Sequence, residues 1–91
     1  MLFTWNPKKA ETNRRKHRVP FDEARTVFDD PLARSLSDPD RSLVERRELM
    51  VGRSSRGRLL MVGFTERRRS IHLIFARVLT RVEIQDYEED R

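Results

Sequence analysis

The sequence predicts an α+β domain, on three observations. Helix signals come first in the chain, a meander of apolar runs follows, and a capping pattern near the C-terminus opens a last helix. At 91 residues the chain is one domain, 1–91. A chain of this size buries roughly 60–65% of its unfolded surface, enough for a modest core.

The elements read in order as follows. Leu2 to Trp5 is short and apolar, an edge strand. Asn6-Pro7 opens a helix: the Asn side-chain oxygen caps, and Pro at the first helical position loses no needed hydrogen bond. That helix runs to about His17, with Lys9, Asn13, Lys16 and His17 along one stripe. Pro20 ends it. Phe21, Ala24, Val27 and Phe28 then recur at helical spacing, and Asp29-Asp30-Pro31 stops this second helix.

Leu32 to Leu36 is a brief strand before the turn formers of Ser37 to Asp40. Three antiparallel strands follow, Leu43 to Gly52, Leu59 to Phe64 and Ile71 to Leu79. Ser54 to Gly57 turns between the first two, and the charged stretch Glu66 to Ser70 turns between the last two. Leu59 to Phe64 is uninterrupted, so it reads as the central strand, buried on both faces. Thr80-Arg81-Val82-Glu83 fits the capping-box spacing and starts a helix through Tyr87.

Composition narrows the function. Hydrophobic residues make up 36% and charged residues 38%. The apolar residues are clustered into strand-like runs, which argues for a folded domain with a heavily charged surface. Net charge is +5, unevenly spread: +5 in residues 1–19, −4 in 20–45, +8 in 46–82 and −4 in 83–91. The positive stretch covers the strands, an electrostatic footprint for a polyanion. All but Lys8, Lys9 and Lys16 of the 20 basic residues are Arg, whose planar fork grips phosphate oxygens in pairs.

There are no cysteines, which excludes disulfides and thiolate metal sites. No apolar run is long enough to cross a bilayer, and the N-terminus lacks the order of a signal peptide, so no membrane role and a cytoplasmic location are expected. No glycine-rich phosphate loop, zinc cluster or Ser-His-Asp spacing is present, so neither a cofactor nor a metal is expected.

Individual residues carry alternatives. Arg77 interrupts an apolar strand; it either pairs with a carboxylate such as Glu45 or Glu83, or faces a cleft for an anion. Arg47 is its expected neighbour in register. His17 is either a packed residue or a proton carrier, since imidazole titrates near neutrality, and His72 on the polar face of its strand has the same two readings. Tyr87 is either core or a stacking partner for a nucleotide. Arg67-Arg68-Arg69 is either a solvated turn or a contact to backbone phosphate.

The run Phe3-x-Trp5-Asn6-Pro7-x-Lys9-Ala10-x-x-Asn13-x-x-Lys16-His17-x-Val19-x-Phe21-x-Glu23-Ala24 resembles the BrnT-type toxins, RelE-like ribonucleases of bacterial type II toxin–antitoxin pairs. Asp30-Pro31, Glu45-x-Arg47, Gly52, Gly57-Arg58, Thr65-x-Arg67, Ala76-Arg77, Glu83 and Tyr87 continue the likeness in order. His72 and Phe75 stand where Arg and Ser are frequent, and Val82 and Ile84 where basic residues are common.

The resemblance implies two N-terminal helices packed on an antiparallel sheet in a RelE-like fold. It implies metal-independent RNA cleavage that inhibits translation, and a ribbon-helix-helix antitoxin through which alone operator DNA is bound. In that frame the 2′-hydroxyl of RNA attacks the adjacent phosphate. Arg77 and Arg47 hold the phosphate, Lys16 or His17 assists proton transfer, and Glu45 is the base or positions an Arg. Tyr87 stacks on a base or orients the phosphate, while Arg58, Arg67 and His72 bind RNA. A non-catalytic basic module that binds an antitoxin or RNA is the alternative.

Overall fold

The protein is described from a computed structural model that covers residues 1–37 and 46–89. The elements are β1 (Leu2–Thr4), α1 (Pro7–His17), α2 (Phe21–Ala24), a 3₁₀ turn (Arg25–Asp29), β2 (Arg34–Ser37), β3 (Glu48–Arg53), β4 (Leu59–Arg67), β5 (Ser70–Val78) and α3 (Arg81–Glu89).

Local signals set most boundaries. Asn6 Oδ1 accepts from the backbone N–H groups of Lys8 (2.8 Å) and Lys9 (3.2 Å), and Pro7 takes the first helical position. Arg18 closes α1 in the left-handed region (φ 59°), its N–H donating to the Arg14 carbonyl. The capping box at α3 is formed: Glu83 N–H donates to Thr80 Oγ1 (3.2 Å) and Thr80 N–H to Glu83 Oε1 (2.8 Å). The expected second helix is one α-turn that tightens into the 3₁₀ turn before Pro31. β-branched Thr26 and Val27 favour an α-helix weakly, and such tightening is common where helices end.

Five strands form one sheet in the order β1-β5-β4-β3-β2. The expected antiparallel sheet is mixed: β1 runs parallel to β5, Leu2 opposite Ser70 and Thr4 opposite His72. Hairpins force antiparallel pairing, whereas β1 and β5 are separated by nearly the whole chain and are free of that constraint. β4 is central, as expected, and continues to Arg67. The expected turn at Glu66 to Ser70 is therefore mostly strand, with Arg68 and Arg69 alone between the ladders. β3 begins at Glu48; the expected start at Leu43 lies outside the described residues.

Helices cover both faces of the sheet. Val19, Phe21, Ala24 and Val27 pack on Leu60, Val62, Phe64, Leu73 and Ala76, and each buried Val, Leu or Phe contributes about 1.5–3 kcal/mol. Phe3, Phe28 and Phe64 continue this core as edge-to-face rings 5.1–5.2 Å apart. On the opposite face α3 places Tyr87 and Ile84 against Val51, Leu59, Met61 and Leu79.

Candidate active site

The site begins with an irregularity in β5. Phe64 pairs with Leu73, but Gly63 pairs with Phe75, so Ile74 is an extra residue. In a regular strand His72 and Arg77, five apart, would point to opposite faces. The bulge at Ile74 shifts the alternation by one. Ile71, Leu73 and Ala76 then belong to the core under α1 and α2, while His72, Phe75 and Arg77 share the face that carries α3.

That face has a readable layout. Thr65 lies opposite His72, Gly63 opposite Phe75, and Met61 opposite Arg77. Thr4 flanks His72 from β1, its Oγ1 2.8 Å from His72 Nδ1. Gly63 is required by its neighbour: a β-carbon there would lie 2.1 Å from Cε1 of Phe75. Thr65 is 1% exposed, and its hydroxyl donates to the Arg46 carbonyl, tying the chain just before β3 to this row.

Arg77 is held by a carboxylate. Its Nη1 donates to Glu83 Oε1 and its Nη2 to Glu83 Oε2, both at 2.8 Å, and Nη2 also lies 3.3 Å from Met61 Sδ. Of the two carboxylates offered by the sequence, Glu83 is the partner. The Arg77 guanidinium is the main reason that the Glu83 carboxyl is held down at about 2; burial opposes the shift, and the Thr80 backbone N–H assists it. The pairing in turn raises the Arg77 pKa.

Lys16 and His17 lie at the seam between α1 and β5. Together with Lys9, Thr12 and Asn13 they face Ile74 and Phe75 across a groove of about 300 Å³. The seam is locked by Asn13, which is 6% exposed. Its Oδ1 accepts from Ala76 N–H (3.0 Å), and its Nδ2 donates to the carbonyls of Ala76 (2.9 Å) and Val19 (3.0 Å). The side-chain amide completes the edge of β5 where β1 has ended.

The other expected residues separate. Arg47 is half-buried directly before β3, one residue outside the β3–β4 ladder, which starts with Glu48 opposite Phe64. It is not the register neighbour of Arg77: that place belongs to Met61 and then Val51, four residues further along β3, or about 13 Å at 3.3 Å per residue. Arg67 is exposed at the end of β4. Glu45 lies outside the described residues.

Two expected contacts to RNA are engaged in the fold itself. Tyr87 is 6% exposed, and its hydroxyl donates to the Leu32 carbonyl (2.9 Å), docking α3 on the segment before β2. Arg58 points to the opposite side of the sheet, where its Nη2 (2.5 Å) and Nε (2.9 Å) bind the carboxylate of buried Glu23. Ser54 Oγ donates to the same carboxylate (2.7 Å). The Arg58 hydrogen bonds are the main cause of the lowered Glu23 pKa.

Phe75 and Lys9 were not among the expected site residues. The signal for Phe75 was Gly63, an isolated glycine in an apolar strand, which marks a close approach. Among the described residues no cluster of three or more His, Asp and Glu is placed to hold a metal ion. No described helix is long and apolar enough to cross a membrane.

Comparisons with known proteins bear on the fold and the family. The family profile described as ribonuclease toxin, BrnT, of type II toxin-antitoxin system matches residues 5–83. No curated protein sequence matches the chain. Among solved structures, the 1.1 Å crystal structure of the Brucella abortus ribonuclease toxin BrnT is similar over 89% of this chain and 100% of that chain, with a TM-score of 0.69 and 16% sequence identity. At that identity the likeness is one of fold. The profile spans most of the chain, from Trp5 through the Arg77 partner Glu83, and on that match the chain belongs to the BrnT family of ribonuclease toxins of type II toxin–antitoxin systems.

Proposed function

We propose that the chain is an endoribonuclease that cuts RNA through its own 2′-hydroxyl, on the sheet face that carries His72, Phe75 and Arg77. The single observation that carries this reading is the Ile74 bulge, which gathers these three side chains on one face. A fixed cation on a half-buried sheet face stabilises charge that develops on a phosphate more than it would in water.

In the reaction the 2′-oxygen attacks phosphorus and the bond to the 5′-oxygen breaks. The products are a 2′,3′-cyclic phosphate and a 5′-hydroxyl. One proton leaves the 2′-oxygen and one reaches the departing 5′-oxygen. Arg77 holds the non-bridging oxygens of the scissile phosphate. Glu83, with its carboxyl held at about 2, is a poor base near neutrality and instead positions Arg77. Arg47, about 13 Å along the sheet, takes a neighbouring phosphate, as does Arg67 at the end of β4.

His72 on the sheet, or Lys16 and His17 at the seam, carry the protons, with Glu45 as the carboxylate alternative. The charge needed in the transition state comes from guanidinium groups, so the step requires no metal ion. Tyr87 and Arg58 act from behind, through α3 and through Glu23, rather than on RNA. The antitoxin of this pair is of the ribbon-helix-helix type and contacts operator DNA for the complex. RNA loss stops translation in the cytoplasm.

The product ends test the chemistry. The purified chain, in excess chelator, should leave cyclic phosphate and 5′-hydroxyl ends on a single-stranded RNA and should spare a substrate with 2′-deoxy sugars. Cleavage of the deoxy substrate, or loss of activity on chelation, contradicts the proposal.

A further inference from the structure

Phe75 is an aromatic side chain that neither core accounts for. Phe21 and Phe64 lie in the core under α1 and α2, and Phe3 and Phe28 pack against it; Phe75 belongs to neither hydrophobic cluster. Among the described residues its ring contacts no other ring. It is partly exposed on the sheet face, between His72 and Arg77. One ring edge, Cδ1, Cε1 and Cζ, lies over Gly63, where any side chain would collide with it.

Phe75 also lines the groove shared with Lys9, Thr12, Asn13, Lys16, His17 and Ile74. Lys9 and Lys16 are exposed, and neither makes an ion pair among the described residues. Seven residues apart on α1, they stand on one side of the groove about 10 Å from each other at 1.5 Å per residue. An aromatic plate flanked by lysines on one side and an arginine on the other suits a polyanion that carries flat bases.

We infer that Phe75 is a stacking platform for an unpaired base beside the scissile phosphate, with Lys9 and Lys16 holding the backbone on one side and Arg77 on the other, so that the ligand is single-stranded RNA. This rests on the proposed reading of the Arg77 face. A base within a duplex is paired and stacked and offers no free face, whereas an unpaired base does. Stacking on a ring tolerates every base, so the site discriminates strandedness more than sequence.

The test measures binding apart from cleavage. The probe is a fluorescent 2′-O-methyl RNA oligonucleotide, which lacks the nucleophile, used single-stranded and as a duplex at one fixed salt concentration. Its anisotropy is titrated with the native chain and with Phe75→Tyr, Phe75→Trp, Phe75→Leu and Phe75→Ala, and the melting temperature of each is recorded. Leu covers Gly63 without a π face, so it separates packing from stacking.

Tyr and Trp should bind the single strand within about threefold of the native chain, while Leu and Ala should bind roughly five- to 150-fold more weakly. The native chain should prefer the single strand. Native affinity in a folded Phe75→Leu variant, or equal binding of the duplex, overturns the inference. A chain that binds the probe through Phe75 but leaves ordinary RNA intact would retain this inference and defeat the nuclease reading.

Discussion

Arg77 and Glu83 meet through two parallel hydrogen bonds of 2.8 Å, and the same Glu83 carboxylate caps α3 by accepting from Thr80 N–H. One side chain thus starts the last helix and aims the arginine of the sheet face. A planar fork held at both nitrogens is not reproduced by an ammonium point charge. Arg77→Lys should therefore lose at least tenfold in RNA cleavage although it keeps the charge, with a native circular dichroism spectrum. Glu83→Gln keeps an oxygen for the Thr80 N–H but loses the charge facing Arg77, so it should weaken cleavage less and destabilise the chain by about 1 kcal/mol or less. Full cleavage by Arg77→Lys would contradict this assignment.

Acid should loosen the protein through two carboxylates. Glu83 is held at about 2, below its ordinary 4.5, chiefly by Arg77. Buried Glu23 is shifted in the same direction, chiefly by Arg58. A group whose folded pKa is depressed contributes its full stabilisation above the unfolded value and loses it as pH falls through the folded one. Denaturant midpoints should be flat above about pH 5 and should fall from about pH 4.5 towards 2. The fall should be shallower in Glu83→Gln. An equal slope in that variant would mean that Glu83 is not among the groups responsible.

Asn13 replaces a missing strand. Its amide satisfies both the N–H and the carbonyl of Ala76 at a buried edge. Asn13→Leu should strand those groups and the Val19 carbonyl, at a cost of about 2–4 kcal/mol. Asn13→Asp should fare no better, because a carboxylate has no donor for the two carbonyls that Nδ2 now serves. Thermal melts of the two variants check this, and a native melting temperature for either would refute the edge role.

Arg58 should prove structural. Glu23 is 4% exposed, and Arg58→Ala would leave its carboxylate buried with Ser54 and the more distant Arg56, whose Nη1 is 4.0 Å away. Breaking a buried pair costs about 3–5 kcal/mol, and partial exposure of Arg58 brings the expectation to the lower end. Cleavage per folded molecule at low temperature should stay within about twofold of native. A stable Arg58→Ala variant with weak RNA binding would reverse the assignment.

Local chemistry made much of this fold legible. Asn6-Pro7, the Thr80–Glu83 box and the Ser54–Gly57 turn act over four residues or fewer, so their signals are complete within the sequence. Parallel pairing of β1 with β5 joins residues 68 apart and leaves no local trace. The bulge is hidden too, because Leu73, Ile74 and Phe75 are all apolar and hide the shift in alternation. For the same reason a strict period of two separates His72 from Arg77, and register reasoning brings Arg47 too close to Arg77. Asn13 was legible as a member of the α1 stripe, but its partner lies 63 residues away. The partners of Tyr87 and Arg58 within the fold, Leu32 and Glu23, lie 55 and 35 residues away and leave no trace in the local sequence.

The most direct measurement is growth of a bacterial culture after induction of the chain alone, beside its Arg77→Ala form, with total RNA followed in both. The account predicts arrest with RNA breakdown for the native chain, and normal growth with intact RNA for a soluble, folded Arg77→Ala variant. Arrest and RNA breakdown by both forms, or undisturbed growth with intact RNA when the native chain is soluble and folded, would contradict it.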